Sequence, residues 1–228
     1  QGAGGVIVPP ASFWPALRAL CDKYEILLIS DEVVTGFGRS GSMFGARGWG
    51  VKPDIMCLAK GISSGYVPLG ATTLNKRVAD AWYKEFSPEG MIMHGFTSSG
   101  HPVACAAALA CLDIGEKEDL RDKAARMGKR LIEGLRPLAE TSSIVGEVRG
   151  KGLMVGLDFV SDKEARTPMD PGTGVVERIA TFAREEGAMV RPAGNVIILS
   201  PPLVIEEAEI DIITEALTKA CARFEAEK

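Results

Sequence analysis

The sequence predicts an α/β fold, a mainly parallel sheet with helices followed by a smaller α+β unit, on three observations. Short apolar runs alternate with helical patterns through the first half. Runs such as residues 26–30 (EILLIS without its glutamate) and 55–58 (IMCL) are apolar on both faces, as strands of a buried parallel sheet are. From His101 onward the pattern changes to long helices interleaved with paired strands. The boundary is placed near residue 118, which divides the chain into residues 1–117 and 118–228.

In order, residues 5–8 read as a strand, 12–24 as a helix, 26–30 as a fully buried strand, 55–58 and 70–74 as further strands, and 77–84 as a helix. Between them "VVTGFGRSGSMFGARGWG" carries too many glycines for a regular element, and its length marks it as a functional loop. "HPVACAAALACLDI" opens an alanine-rich helix, which breaks near residues 115–119 before an amphipathic helix that runs to Leu135. Strands at 144–148 and 153–159, a helix at 174–186, strands at 189–191 and 196–199, and a helix from Glu206 complete the chain. In that last helix Ile213, Leu217, Ala220 and Phe224 recur at helical spacing and form a core-facing stripe.

Composition narrows the function. Of 228 residues 46% are hydrophobic and 25% charged, with a net charge of -4, so there is no basic footprint for nucleic acid and small-molecule chemistry is favoured. The five cysteines are odd in number and dispersed, with no C-x-x-C pair, and read as reduced, buried thiols of a cytoplasmic protein. The uncharged stretch 91–112 is interrupted by His94, His101 and Pro102, which argues against a membrane span. The opening "QGAGGVIVPP" lacks a methionine and lies inside a strand-and-turn pattern, so the chain is expected to be the C-terminal part of something longer.

Two residues stand where open α/β sheets bind ligands, at the carboxyl ends of predicted strands. Asp31 closes "EILLIS" and Lys60 follows "DIMCLA", with Gly61, Ser63, Ser64 and Gly65 behind it. An aspartate there can be a turn cap, and the pair can be a structural ion pair. A desolvated lysine is also how an amine becomes nucleophilic. Pyridoxal phosphate requires this combination: a lysine for its Schiff base and an acid that keeps its pyridine nitrogen protonated. The small residues after Lys60 would let a flat ring and a phosphate approach the backbone.

"LLISDEVVTGFGRSGSMFGARGWGVKPDIMCLAKGISSGYVPLGAT", "HGFTSSGHPVACAAALACLDI" and "MVRPAGNVIILSPPLVI" closely resemble the class III aminotransferases, fold-type I pyridoxal phosphate enzymes, over essentially the whole chain. The resemblance implies the C-terminal part of a mainly parallel cofactor-binding large domain with helices on both faces, then the small C-terminal domain. It implies Lys60 as Schiff-base lysine and proton shuttle, Asp31 as partner of the pyridine nitrogen, and Val33 packed on a ring face. Thr97 resembles the threonine that reaches the cofactor phosphate of the other subunit in a homodimer. Arg191 resembles the mobile arginine that clamps a substrate carboxylate; read alone, it is also an ordinary arginine near a strand end. Within the class the chain looks most like omega-aminotransferases that pass an amino group from an amine or omega-amino acid to an alpha-keto acid such as pyruvate. Val34 departs from the glutamine many members carry, and the family's N-terminal portion, with its phosphate loop and stacking aromatic, is missing from the chain, so the covered chain is not expected to make a complete site.

Other readings remain at this level. Racemases, epimerases and decarboxylases use the same cofactor and lysine, and an inactive fragment is a further alternative. "GISSG" fits G-x-S-x-G and would make Ser63 the nucleophile of a serine hydrolase, but His94 and His101, the only histidines, lie too early for that triad order. Those histidines lack a third ligand, so no metal is expected. Arg39 and Arg47 could bind phosphate or form surface pairs.

Overall fold

The computed structural model describes residues 1–84 and 97–227. By packing it divides into two compact units. The first comprises Pro9–Gly38 and Ser42–Asp119, and the second comprises Gln1–Val8, Arg39–Gly41 and Leu120–Lys228.

In the first unit helix α1 (Phe13–Lys23) turns Trp14, Leu17 and Cys21 toward Leu28 and Val51, and the Trp14 and Trp49 rings lie 6.4 Å apart, tilted by 33°. The left-handed Glu25 (φ 56°) ends the helix and lets the chain reverse into a sheet of order β1-β2-β3. Strand β1 (Ile29–Asp31) pairs parallel with β2 (Ile55–Leu58), with Ile29 opposite Ile55 and Asp31 opposite Cys57. Strand β3 (Ala71–Leu74) joins β2 antiparallel. A parallel return needs a long crossover, usually helical, and residues 59–70 contain only the 3-10 turn Lys60–Ile62. The run 26–30 is not buried on both faces as the sequence suggests: Leu28 and Ser30 point inward, while Ile29 is 58% exposed. An apolar residue at every position hides the strand's period of two, and here only one face is covered. Helices α2 (Lys76–Lys84) and α3 (Pro102–Lys117) follow, the latter with proline at its first turn, where a missing N–H costs nothing.

Asp54 ties this unit together. It is buried, and its carboxylate accepts from Arg18 Nη1 at 2.8 Å, Leu28 N–H at 2.8 Å and Asn75 Nδ2 at 2.7 Å. Burial opposes its charge, but the Leu28, Arg18 and Asn75 hydrogen bonds outweigh that and hold the carboxyl below its usual range.

The second unit is a layer of helices on an antiparallel sheet. Strands β4 (Val145–Lys151), β5 (Met154–Asp162), β7 (Arg191–Ala193) and β8 (Val196–Leu199) lie in the order β4-β5-β8-β7, and β6 (Thr167–Pro168) pairs with β5. Helices α4 (Leu120–Thr141), α5 (Val175–Glu185) and α6 (Glu207–Ala226) enclose a core that includes Leu131, Leu135, Leu157, Phe159, Ile179 and Ile197. The stripe on α6 is buried at Leu217, Ala220 and Phe224, with Ile213 packed at its margin. Gly128 of α4 seats directly on the β4–β5 turn: a Cβ there would lie 2.0 Å from the Gly152 carbonyl oxygen.

Residues 5–8 form an irregular turn rather than a strand. Gly5 and Val6 have φ of 93° and 58°, outside extended backbone. Val6 packs with Met154, Val196 and Ile198, and Arg149 captures the Gly5 carbonyl through Nε at 3.1 Å and Nη2 at 2.9 Å. The cysteines also differ from expectation. All five are free, but only Cys21 and Cys221 are buried, and burial beside Glu225 pushes the Cys221 thiol up to about 12. None of the described helices is long and apolar enough to cross a membrane.

Candidate active site

Because β1 and β2 run parallel, their carboxyl ends share one edge of the sheet. Asp31 is the last residue of β1, and Lys60 follows β2 after a single extended residue, Ala59. Both side chains are exposed. The Asp31 carboxylate accepts from the Val33 N–H at 3.0 Å, a turn that fixes its rotamer. Among the described residues neither Asp31 nor Lys60 is consumed in an ion pair. Lys60 holds a left-handed backbone (φ 42°) and begins the Lys60–Ile62 turn, whose carbonyl accepts from Ser63 N–H at 3.3 Å. A non-glycine residue so placed is strained, and such strain gathers at functional sites.

Glu32, which sequence reasoning did not assign, anchors this edge from beneath. It is 1% exposed and accepts hydrogen bonds from Gly45 N–H at 2.7 Å, Ala46 N–H at 2.8 Å, Ser30 Oγ at 3.2 Å and Thr35 Oγ1. One buried carboxylate therefore folds the glycine-rich loop back on the strand end that carries Asp31. The signal was present in the period of two: Leu28, Ser30 and Glu32 fall on the inward face, Ile29 and Asp31 on the outward one.

Val33 is half-buried directly after this edge, and Val34, at the glutamine position of many family members, is exposed. Thr97 is exposed in the turn ahead of α3, in the same unit as Asp31 and Lys60. Arg191 belongs to the second unit, exposed at the start of β7, where it pairs in register with Ile198. Ser63 does not suit a hydrolase. Its side chain is buried and its hydroxyl donates to the Val67 carbonyl at 2.7 Å. His101 is exposed at the start of α3, and His94 lies outside the described residues. Arg39 is partly buried: its Nη1 donates to the carbonyls of Leu153 at 3.1 Å and Pro201 at 2.5 Å, and burial lowers its pKa. Arg47 lies over the Phe44 ring at 5.5 Å.

The donor set fits pyridoxal phosphate. An exposed amine and an exposed carboxylate occupy adjacent ends of one parallel pair, and Gly65 leaves open space where a side chain would stand, whereas Gly61 is backed by Phe37.

Comparison with known proteins agrees. A family model described as aminotransferase class-III matches residues 1–221. The chain is 43% identical to the adenosylmethionine-8-amino-7-oxononanoate aminotransferase of Geobacter sulfurreducens, over 96% of this chain and 48% of that protein. It is 41% identical to the chloroplastic gamma aminobutyrate transaminase 3 of Solanum lycopersicum, over 92% of this chain and 40% of that protein. Among solved structures, an amine transaminase from an uncultivated Pseudomonas species in its PLP-bound form superposes with a TM-score of 0.95 at 62% identity, covering 98% of this chain and 50% of that one. An (S)-enantioselective omega-transaminase from Thermomicrobium roseum gives 0.92 at 46% identity, covering 98% and 49%. The chain spans about half the length of these relatives.

Proposed function

The chain belongs to the class-III aminotransferase family, and from that premise we propose that its protein moves an amino group from an amine or omega-amino acid to an alpha-keto acid such as pyruvate, with pyridoxal 5'-phosphate as cofactor. The observation that carries this reading is the Lys60 amine and the Asp31 carboxylate, both exposed at adjacent carboxyl ends of the parallel pair β1–β2. The names of the amine transaminase and omega-transaminase relatives support the donor class. In this reading residues 1–117 are the C-terminal portion of the cofactor-binding domain and residues 118–228 the small domain, although by packing Gln1–Val8 and Arg39–Gly41 fall with the latter.

When bound, pyridoxal phosphate supplies an aldehyde carbon and a cationic ring that accepts an electron pair. Asp31, its orientation fixed by the Val33 N–H, would hold the ring nitrogen protonated, and Val33 would pack beside the ring. Lys60 would hold the cofactor through Nζ and, once free, would serve as the base that moves the substrate proton. Arg191 would hold the keto-acid carboxylate by charge-assisted hydrogen bonds. Thr97 would hold the phosphate in a second subunit, which makes the working form of this reading a homodimer. The free thiols suit a reducing compartment, and we place the protein in the cytoplasm.

The test is a panel of diamines, omega-amino acids and aryl-alkyl amines against pyruvate, run with the full-length protein. Borohydride reduction and peptide mapping accompany it. Amine transfer and a reduced adduct on Lys60 are expected; an adduct on another lysine, or turnover by decarboxylation or racemisation alone, overturns the reading.

A further inference from the structure

The residue that follows Lys60 is pressed from the glycine-rich loop. A Cβ on Gly61 would lie 3.0 Å from Phe37 Cβ and 3.2 Å from Phe37 Cδ2, so the phenylalanine side chain rests on the Gly61 α-carbon. Phe37 is itself held in a left-handed backbone (φ 58°), its N–H donating to the Met43 carbonyl at 2.7 Å and its ring meeting Phe44 edge-on at 5.7 Å. Behind it the loop is anchored by Glu32. Left-handed non-glycine residues persist only where their surroundings over-determine them, and Lys60 has φ 42° one residue before this contact.

We propose that Phe37 is a positioning residue for Lys60: by bearing on Gly61 it holds the turn that begins at Lys60, and so aims the amine for condensation with the cofactor aldehyde, in which a C=N bond forms and the aldehyde oxygen leaves as water. This rests on the reading of Lys60 given above. A side chain at 61 would meet Phe37 at 3.0–3.4 Å, so Phe37 would have to give by a few tenths of an ångström. Phe37 bears on Gly61, the residue next to Lys60, so in this proposal the contact acts on where the amine is held.

The experiment compares two cofactor forms on the full-length protein: pyridoxal phosphate, which can condense with Lys60, and pyridoxamine phosphate, which cannot. Phe37→Ala is expected to weaken pyridoxal phosphate roughly tenfold to a hundredfold, in keeping with the penalty for a misplaced reacting group, while pyridoxamine phosphate changes less than about twofold. Gly61→Ala should reproduce the split, and Phe37→Leu should recover part of the loss. Equal weakening of both forms would make Phe37 a structural residue and overturn the proposal, as would no change in either. Where Phe37→Ala does not fold, Phe37→Leu and Gly61→Ala decide by the same split. Lys60→Ala separates the underlying reading: if it binds pyridoxal phosphate as tightly as the native protein, the assignment of Lys60 itself fails, whatever residue 37 does.

Discussion

Among the described residues, the largest fully buried side chains of the second unit are apolar, among them Phe159, Leu131, Leu157 and Ile197, whereas the one such side chain of the first unit is a carboxylate, Glu32. Asp54, the other buried carboxylate, also belongs to the first unit. The two units differ in what fills their most buried positions. An apolar core is non-directional and stabilises in proportion to the area it removes from water. A buried carboxylate stabilises only when its hydrogen bonds are all made, and in making them it fixes the position of every donor it gathers. Both anchors lie in the unit that carries Asp31 and Lys60, whereas the other unit carries the candidate Arg191, exposed at the start of β7.

That contrast can be broken by substitution. The largest effect should come from Lys60→Ala, which removes both attachment and proton transfer: amine transfer in the full-length protein should fall by about 10⁴-fold or more. Its thermal midpoint, read without cofactor, should stay near the native value because the side chain is exposed. The opposite signature belongs to Phe159→Ala, which empties a fully buried site in the second unit. It should cost about 3–5 kcal/mol in denaturant unfolding. Should it leave stability unchanged, the core assigned to that unit is wrong.

Asp54→Asn tests the first unit's anchor and should cost about 1.5–3 kcal/mol at neutral pH, since it weakens the charged hydrogen bonds that the buried carboxylate makes while Arg18 keeps only Asp22 at 2.7 Å as an ion-pair partner. The sign with pH is fixed by the lowered carboxyl. A depressed folded pKa adds stability above the unfolded value of about 4 and loses it as pH falls through the folded value. The native and Asp54→Asn proteins should therefore converge in stability in strong acid, and a gap that stays constant down to low pH would rule this account out. The smallest effect is expected from Arg191→Ala. It should raise the Michaelis constant for the keto acid roughly tenfold, the worth of one charge-assisted bond, with little change for a simple amine donor. Equal changes for both substrates would remove the carboxylate-clamp role.

Much of this was legible in residue order, and the misses share a cause. The helices at Phe13–Lys23 and Val175–Glu185 and the strands Ile55–Leu58 and Val196–Leu199 announced themselves by local period and by their breakers. The run at 5–8 looked extended because it is apolar, yet the left-handed Gly5 and Val6 are set by packing on Val196 and by the distant Arg149. The half-exposed cysteines were misread for a related reason: apolar neighbours in sequence do not reveal which side of an element is covered. Glu32 stood in plain view beside Asp31, but its donors at Gly45 and Ala46 lie across a loop whose closure residue order does not report. The Phe37 contact on Gly61 was hidden in the same way.

Residue order alone determined the class of fold, the family, and the presence of an amine and an acid at strand ends, because helical and strand periods, turn residues and motif spacing are properties of neighbours along the chain. Tertiary structure alone decided that β1 and β2 are direct neighbours with Asp31 opposite Cys57, that β3 runs the other way, and which carboxylates are buried as anchors. Those outcomes depend on contacts between residues far apart in sequence, whose strength is set by what each surface meets after the chain has closed on itself.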